Sequence, residues 1–110
     1  MSVSDDLATK LFRHPRFAWR EGMKDQRGIR VVDVDLWDPD GPPDLGDAAT
    51  VGILLGWLAE IDLLSDVVRQ DGAWIVAVEL PDGLQGWMGE TMGEAAAAAL
   101  LAAWDGLPDS

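Results

Sequence analysis

Six aspartates occupy fifteen consecutive positions in DVDLWDPDGPPDLGD, residues 33–47. Carboxylates at this density have three uses: ligating a hard cation such as calcium, presenting an acidic surface to a cationic partner, or accepting hydrogen bonds from the local backbone in turns and helix caps. A calcium loop of the helix–loop–helix kind needs oxygen ligands at alternating positions, glycine at the sixth and glutamate at the twelfth. Counting from Asp35, those two positions hold Asp40 and Gly46; counting from Asp33, they hold Asp38 and Asp44. Neither register fits, and Pro39, Pro42 and Pro43 restrict the wrapping such a loop requires. No metal site is expected, although Asp38, Asp40 and Asp44 could still hold calcium weakly.

Other catalytic constellations are equally thin. The chain has no cysteine, which excludes disulfides, thiolate metal sites and thiol nucleophiles and suits a reducing compartment. Its one histidine, His14, precedes a proline at the end of an expected helix, where a capping or surface role competes with that of general base or ligand. Carboxylate-pair hydrolysis needs two acids across a cleft, one with its pKa raised by burial. Here the acids fall mostly in turns and caps, where the opposite shift is expected. No catalytic residue and no cofactor are assigned, and the expectation is a protein that is not an enzyme.

Charge says more. Residues 1–30 hold seven of the eight basic side chains against four acids; residues 31–110 hold Arg69 against sixteen acids, and the whole chain carries −12. Such a field repels nucleic acid and anionic membrane and steers a cationic partner inward, although solubility alone also accounts for it. Six tryptophans stand beside no tyrosine. Trp57, Trp74 and Trp104 lie on expected core faces; Trp37, at the edge of the acidic loop, and Trp87, between Gly86 and Met88, are either local packing or recognition residues.

The elements that position these residues can be read from periodicity. A length of 110 residues suits one domain, 1–110. A first helix starts at Ser4, with Asp5 and Asp6 in its first turn and Leu7, Leu11 and Phe12 on one face, and Pro15 stops it. Arg16–Met23 alternates and reads as a strand, KDQRG (24–28) as a turn, and Ile29–Leu36 as a second strand. On that second strand Val32, Val34 and Leu36 point one way, with Asp33 and Asp35 together on a wet end of the other face. An apolar helix over about 48–64 carries Leu54, Trp57, Leu58 and Ile61 at i, i+3, i+4 and i+7. Its opposite face of Ala49, Gly52, Gly56 and Ala59 admits a close backbone, and the helix is expected to be covered on more than one side. Asp71-Gly72 and Pro81-Asp82-Gly83 then turn three strands, the central one presenting Trp74, Val76, Val78 and Leu80 on one face. Thr91-Met92-Gly93-Glu94 is a capping box that opens an alanine-rich helix to Asp105, with Ala97, Leu100, Leu101 and Trp104 as its stripe and Gly106-Leu107-Pro108 as its stop. The expected fold is a single α+β domain in the order α-β-β-α-β-β-β-α, with an antiparallel sheet of about five strands packed with three helices. The N-terminus has acids where a signal peptide would be basic, and the apolar runs are too short to span a bilayer. A soluble cytoplasmic protein is expected.

The second half also carries a resemblance. DLGDAATVGILLGWLAEI, GAWIVAVEL and GETMGEAAAAALLAAW resemble small phage and prophage proteins in which an Ala-Thr, Gly, Leu-Leu helix is followed by a tryptophan-centred strand and a Thr-x-x-Glu-Ala helix. More distantly the chain is similar to the phage ABA-sandwich domain proteins. The similarity covers about residues 44–104, with an upstream echo in Phe17, Trp19, Gly22 and Met23; Ala48 stands where the pattern often has proline, and both suit a first helical turn. The resemblance implies a phage or prophage accessory protein in the host cytoplasm and transfers no catalytic residue.

Together these readings lead to a non-enzymatic protein that binds a basic protein partner through Asp33, Asp35, Trp37, Asp38, Asp40 and Asp44. One version is inhibition of a host defence nuclease, its carboxylates standing in for nucleic-acid phosphates. The alternatives are an immunity-type protein that neutralises a basic toxin, or a purely structural, dimeric role. Gly52, Gly56 and Ala59 are expected to pack against another element of the same domain, and in a homodimer they would form the contact.

Overall fold

The computed structural model describes residues 3–37, 41–61, 64–80 and 83–106. Its elements are α1 (Val3–Arg13), a single 3-10 turn (Val34–Leu36), α2 (Ala48–Glu60), β1 (Leu64–Gln70), β2 (Ala73–Leu80), β3 (Gly83–Gly89) and α3 (Met92–Gly106). They form one α+β unit with three helices and one antiparallel sheet in the order β1-β2-β3. The Ser4 side chain, Pro81-Asp82 and Leu107-Pro108, to which capping and turn roles were assigned, lie outside the described residues.

The sheet follows from its turns. Asp71 (φ 53°) and Gly72 (φ 81°) both occupy the left-handed region, the geometry that lets a two-residue loop match strand twist. Strand register then puts Val67, Val76 and Trp87 side by side on the inner face, and Val68, Ile75 and Met88 on the outer face. Val76 and Val78 are fully buried, whereas Val68, Leu84 and Met88 are exposed. Helices therefore cover only the inner face among the described residues.

Helix α3 is the centre of the molecule: it packs on β2 and β3 and also against α1 and α2. Ala95, Ala96, Ala97, Ala99, Leu100 and Ala103 are fully buried. The alanines let neighbours approach from several sides, beyond supplying helix propensity. The capping box forms as read: the Glu94 amide donates to Thr91 Oγ1 at 3.1 Å, and Glu94 Oε2 accepts from the Thr91 and Glu90 amides at 3.4 and 2.9 Å. Leu11, Leu54, Leu58 and Leu100 complete the core, each fully buried and worth about 1.5–3 kcal/mol relative to exposure.

Two expectations require correction. The strands read at 16–23 and 29–36 do not form; this region holds turns, the 3-10 turn and two isolated bridges, Lys24 with Arg30 and Asp25 with Pro43. The alternation was real but reported side-chain environment, since Phe17 and Trp19 pack edge-on at 5.4 Å and Phe17 meets Trp57 at 5.8 Å. An apolar period of two does not require a paired neighbour. The second correction concerns the small-residue face of α2, expected to admit a close backbone. Thr50, Val51, Leu54, Trp57 and Leu58 are buried, but Ala49, Gly52 and Ala59 are exposed and Gly56 half-exposed. Small side chains cost little in water, so their presence on a face says little about coverage. No helix among the described residues is long and apolar enough to cross a membrane.

Candidate functional site

The aspartate-rich stretch is divided by the backbone it serves. Asp33 caps the 3-10 turn, its carboxylate accepting from the Asp35 amide at 3.0 Å. Asp44 closes its own turn on the Gly46 amide at 2.9 Å. Asp47 caps α2, accepting from the Thr50 amide at 3.0 Å and hydroxyl at 2.9 Å. Asp38 and Asp40 lie outside the described residues. Asp35 alone has a carboxylate with no hydrogen bond or ion pair among the described residues of this stretch.

Asp47 also faces Arg30, whose guanidinium donates through both terminal nitrogens at 3.1 and 2.9 Å while reaching the Gly22 carbonyl at 2.6 Å. This pairing lowers the Asp47 pKa to about 2; burial works against the shift, and the Thr50 amide and hydroxyl add to it. The Thr50 oxygen accepts in turn from the Lys24 amide at 2.9 Å. One network thus joins residues 22–30 to the start of α2.

Asp25, read from sequence only as part of a turn, is the buried carboxylate of the region at 1% exposure. It accepts from the Arg27 and Ile29 amides at 3.0 Å each and from Arg27 Nε at 2.6 Å. Burial opposes its ionisation, but the Ile29 amide and the Arg27 guanidinium outweigh it and hold the carboxyl below its ordinary range. With their pKa values lowered, neither Asp25 nor Asp47 is suited to donate a proton near neutrality. The only sequence signal for Asp25 was its place two residues before Arg27 in a glycine turn.

Trp37 packs inward. Its ring lies 5.2 Å from Trp19, with the Arg27 guanidinium 6.0 Å from its centroid, and it is half-buried. The indole N–H groups of Trp19 and Trp37 are buried without acceptors among the described residues. Neighbours of Trp37 take the exposed positions instead: Val32 is 82% and Leu36 83% exposed, the most exposed large apolar side chains described, and Val34 is also exposed. These three were expected to share a strand face. Without the strand, Val31 alone is buried in their place. The outcome is a projection at residues 32–36 in which two exposed apolar side chains bracket Asp33 and Asp35.

The other assigned positions lie elsewhere. A methyl group added at Gly52 or Gly56 would meet nothing within 4 Å, so their face of α2, with exposed Ala59, is open. No group of three or more histidine, aspartate or glutamate side chains among the described residues converges as metal ligands would. Comparison with protein-family models, with curated proteins and with solved structures returns no match for this chain.

Proposed function

We propose that this chain is a non-enzymatic accessory protein, of the phage or prophage type its second half resembles, and that it binds a basic protein partner through the 32–36 projection. The observation that carries this reading is the exposure of Val32 and Leu36 on either side of Asp33 and Asp35. Exposed apolar side chains rimmed by charge are a common mark of a protein-binding surface. Carboxylates around them select a cationic partner and accelerate encounter. The net charge of −12 reinforces that selection and disfavours nucleic acid as the direct ligand. In its more specific form the partner is a host defence nuclease, whose phosphate-binding groove receives these carboxylates.

Affinity capture from host lysate tests the reading with two variants, Leu36→Ser and the pair Asp33→Lys, Asp35→Lys. A partner captured by the native chain should be lost with each. A purified nuclease partner should be inhibited by the native chain and not by either variant. Captured proteins that survive both substitutions unchanged would defeat the proposal.

A further inference from the structure

A second, unrelated surface lies on the opposite chemistry. Between α1 and α3, beside the edge strand β3, the structure has an open groove of about 620 Å³. Its floor is apolar. Ala98 and Ala102, one helical turn apart on α3, leave a trough between Leu7 on one side and Trp87 on the other. Trp87 reaches it from the inner face of the sheet, where it pairs with Val76.

The rim is basic in an otherwise acidic protein. Lys10 and Arg13 line the groove from α1, on the face that also carries Leu7. Both are exposed, and neither makes an ion pair or hydrogen bond among the described residues. Among the described residues one carboxylate lines the rim, Asp105, and His14 Nε2 already engages it at 3.1 Å. His14 Nδ1 accepts from the Arg16 amide at 3.1 Å, which leaves Nε2–H to donate to Asp105. Its ring also lies 4.8 Å from that of Trp104, which fixes its orientation. His14 and Asp105 therefore satisfy one another at one end, leaving Lys10 and Arg13 over the apolar trough.

We infer that this groove binds a small amphipathic carboxylate, its apolar tail in the Ala98–Ala102 trough and its anionic head against Lys10 and Arg13. The volume lies within the roughly 300–1,000 Å³ usual for small-ligand sites, and an apolar lining with a few convergent charges is their usual composition. A partner helix would need a longer apolar channel than one trough between Leu7 and Trp87. The assignment does not depend on the 32–36 projection.

Amide and indole NMR of the full chain, titrated with sodium octanoate and with 1-octanol, tests the inference. Octanoate should shift the Trp87 indole and the Ala98 and Leu101 amides saturably, and octanol should bind more weakly. Lys10→Gln with Arg13→Gln should weaken octanoate roughly tenfold, as expected for lost charge-assisted contacts, with the chain still folded and its melting temperature lowered only slightly by the loss of two cations from the last turn of α1. Ala98→Phe, which fills the trough, should abolish binding of both probes, and Leu36→Ser should leave both intact. Octanol binding as tightly as octanoate, or an unchanged affinity in the double variant, would overturn the assignment. So would shifts that do not saturate or that centre on Val68, Ile75 and Met88. Displacement of octanoate by a short leucine–glutamate amphipathic peptide at lower concentration would assign the groove to a peptide instead.

Discussion

Asp47 should be the carboxylate on which the placement of residues 22–30 most depends, and its contribution can be separated into parts. It caps α2 through the Thr50 amide, receives the Thr50 hydroxyl and faces Arg30. Losing a cap costs about 1 kcal/mol. Leaving the fully buried Thr50 hydroxyl without its acceptor adds about 1 kcal/mol. Because the Arg30 side chain is 44% exposed, its charge pair with Asp47 contributes no more than about 1 kcal/mol. Asp47→Ala should therefore destabilise by about 2–3 kcal/mol. Asp47→Asn, which keeps a capping oxygen, should cost about 1 kcal/mol.

The pH dependence has a definite sign. The folded pKa of Asp47, about 2, lies below its ordinary 3.8. The associated stability, about 1 kcal/mol once solvent screening of the exposed Arg30 is allowed for, is fully present above the unfolded pKa and is lost as pH falls through that value towards the folded one. Urea unfolding followed by tryptophan fluorescence, from neutral pH to about pH 2, measures it. The gap between the native chain and Asp47→Asn should close across that acid range. If Asp47→Ala lies within about 0.5 kcal/mol of the native chain, or the Asp47→Asn gap stays constant into acid, the assigned network does not hold.

Other substitutions test separate parts of the structure by the same unfolding assay. Asp25→Ala should cost about 3 kcal/mol or more, because two amides and a guanidinium N–H lose a buried acceptor. Gly93→Ala should cost at least about 2 kcal/mol, since the added methyl would run into the Leu45 backbone carbonyl. Gly52→Ala and Gly56→Ala have open space and should each stabilise by up to about 1 kcal/mol; a mass by light scattering that falls on these changes would instead mark this face as a dimer contact. Arg20→Gln should cost about 1 kcal/mol, because its pair with Glu60 is solvent-exposed on both sides while its guanidinium lies 5.2 Å from the Trp57 ring centroid.

Local signals in the second half were legible because each specifies a backbone geometry. Asp71-Gly72 supplied its two positive φ angles, and Thr91 and Glu94 made their reciprocal bonds. The stripe of Leu54, Trp57 and Leu58 is buried. In residues 14–47 the same kind of pattern misled, since Val32, Val34 and Leu36 alternate yet face solvent. Their placement is decided by contacts distant in sequence, such as the Asp44 amide on the Lys24 carbonyl at 2.8 Å and the Lys24 amide on Thr50. Nothing local encodes that Gly93 must admit the Leu45 carbonyl. At the projection, the aspartates were visible but their apolar neighbours were assigned to a strand. Packing beside Trp19 removed Trp37 from the surface and left Leu36 there.

The uneven charge of the chain acquires a structural reason from these contacts. Residues 20–30 run along α2 in the reverse direction: Arg20 meets Glu60 at its C-terminal end, and Arg30 meets Asp47 at its N-terminal cap. The basic side chains clustered early in the sequence thus replace the backbone ladder that two strands would have supplied, fastening an irregular segment to a helix. Arg27 is likewise committed to Asp25. A basic N-terminal arm for nucleic acid is disfavoured by this use, because several of its cations are already spent on the protein's own carboxylates. Lys10 and Arg13 stand outside this network, in the last turn of α1.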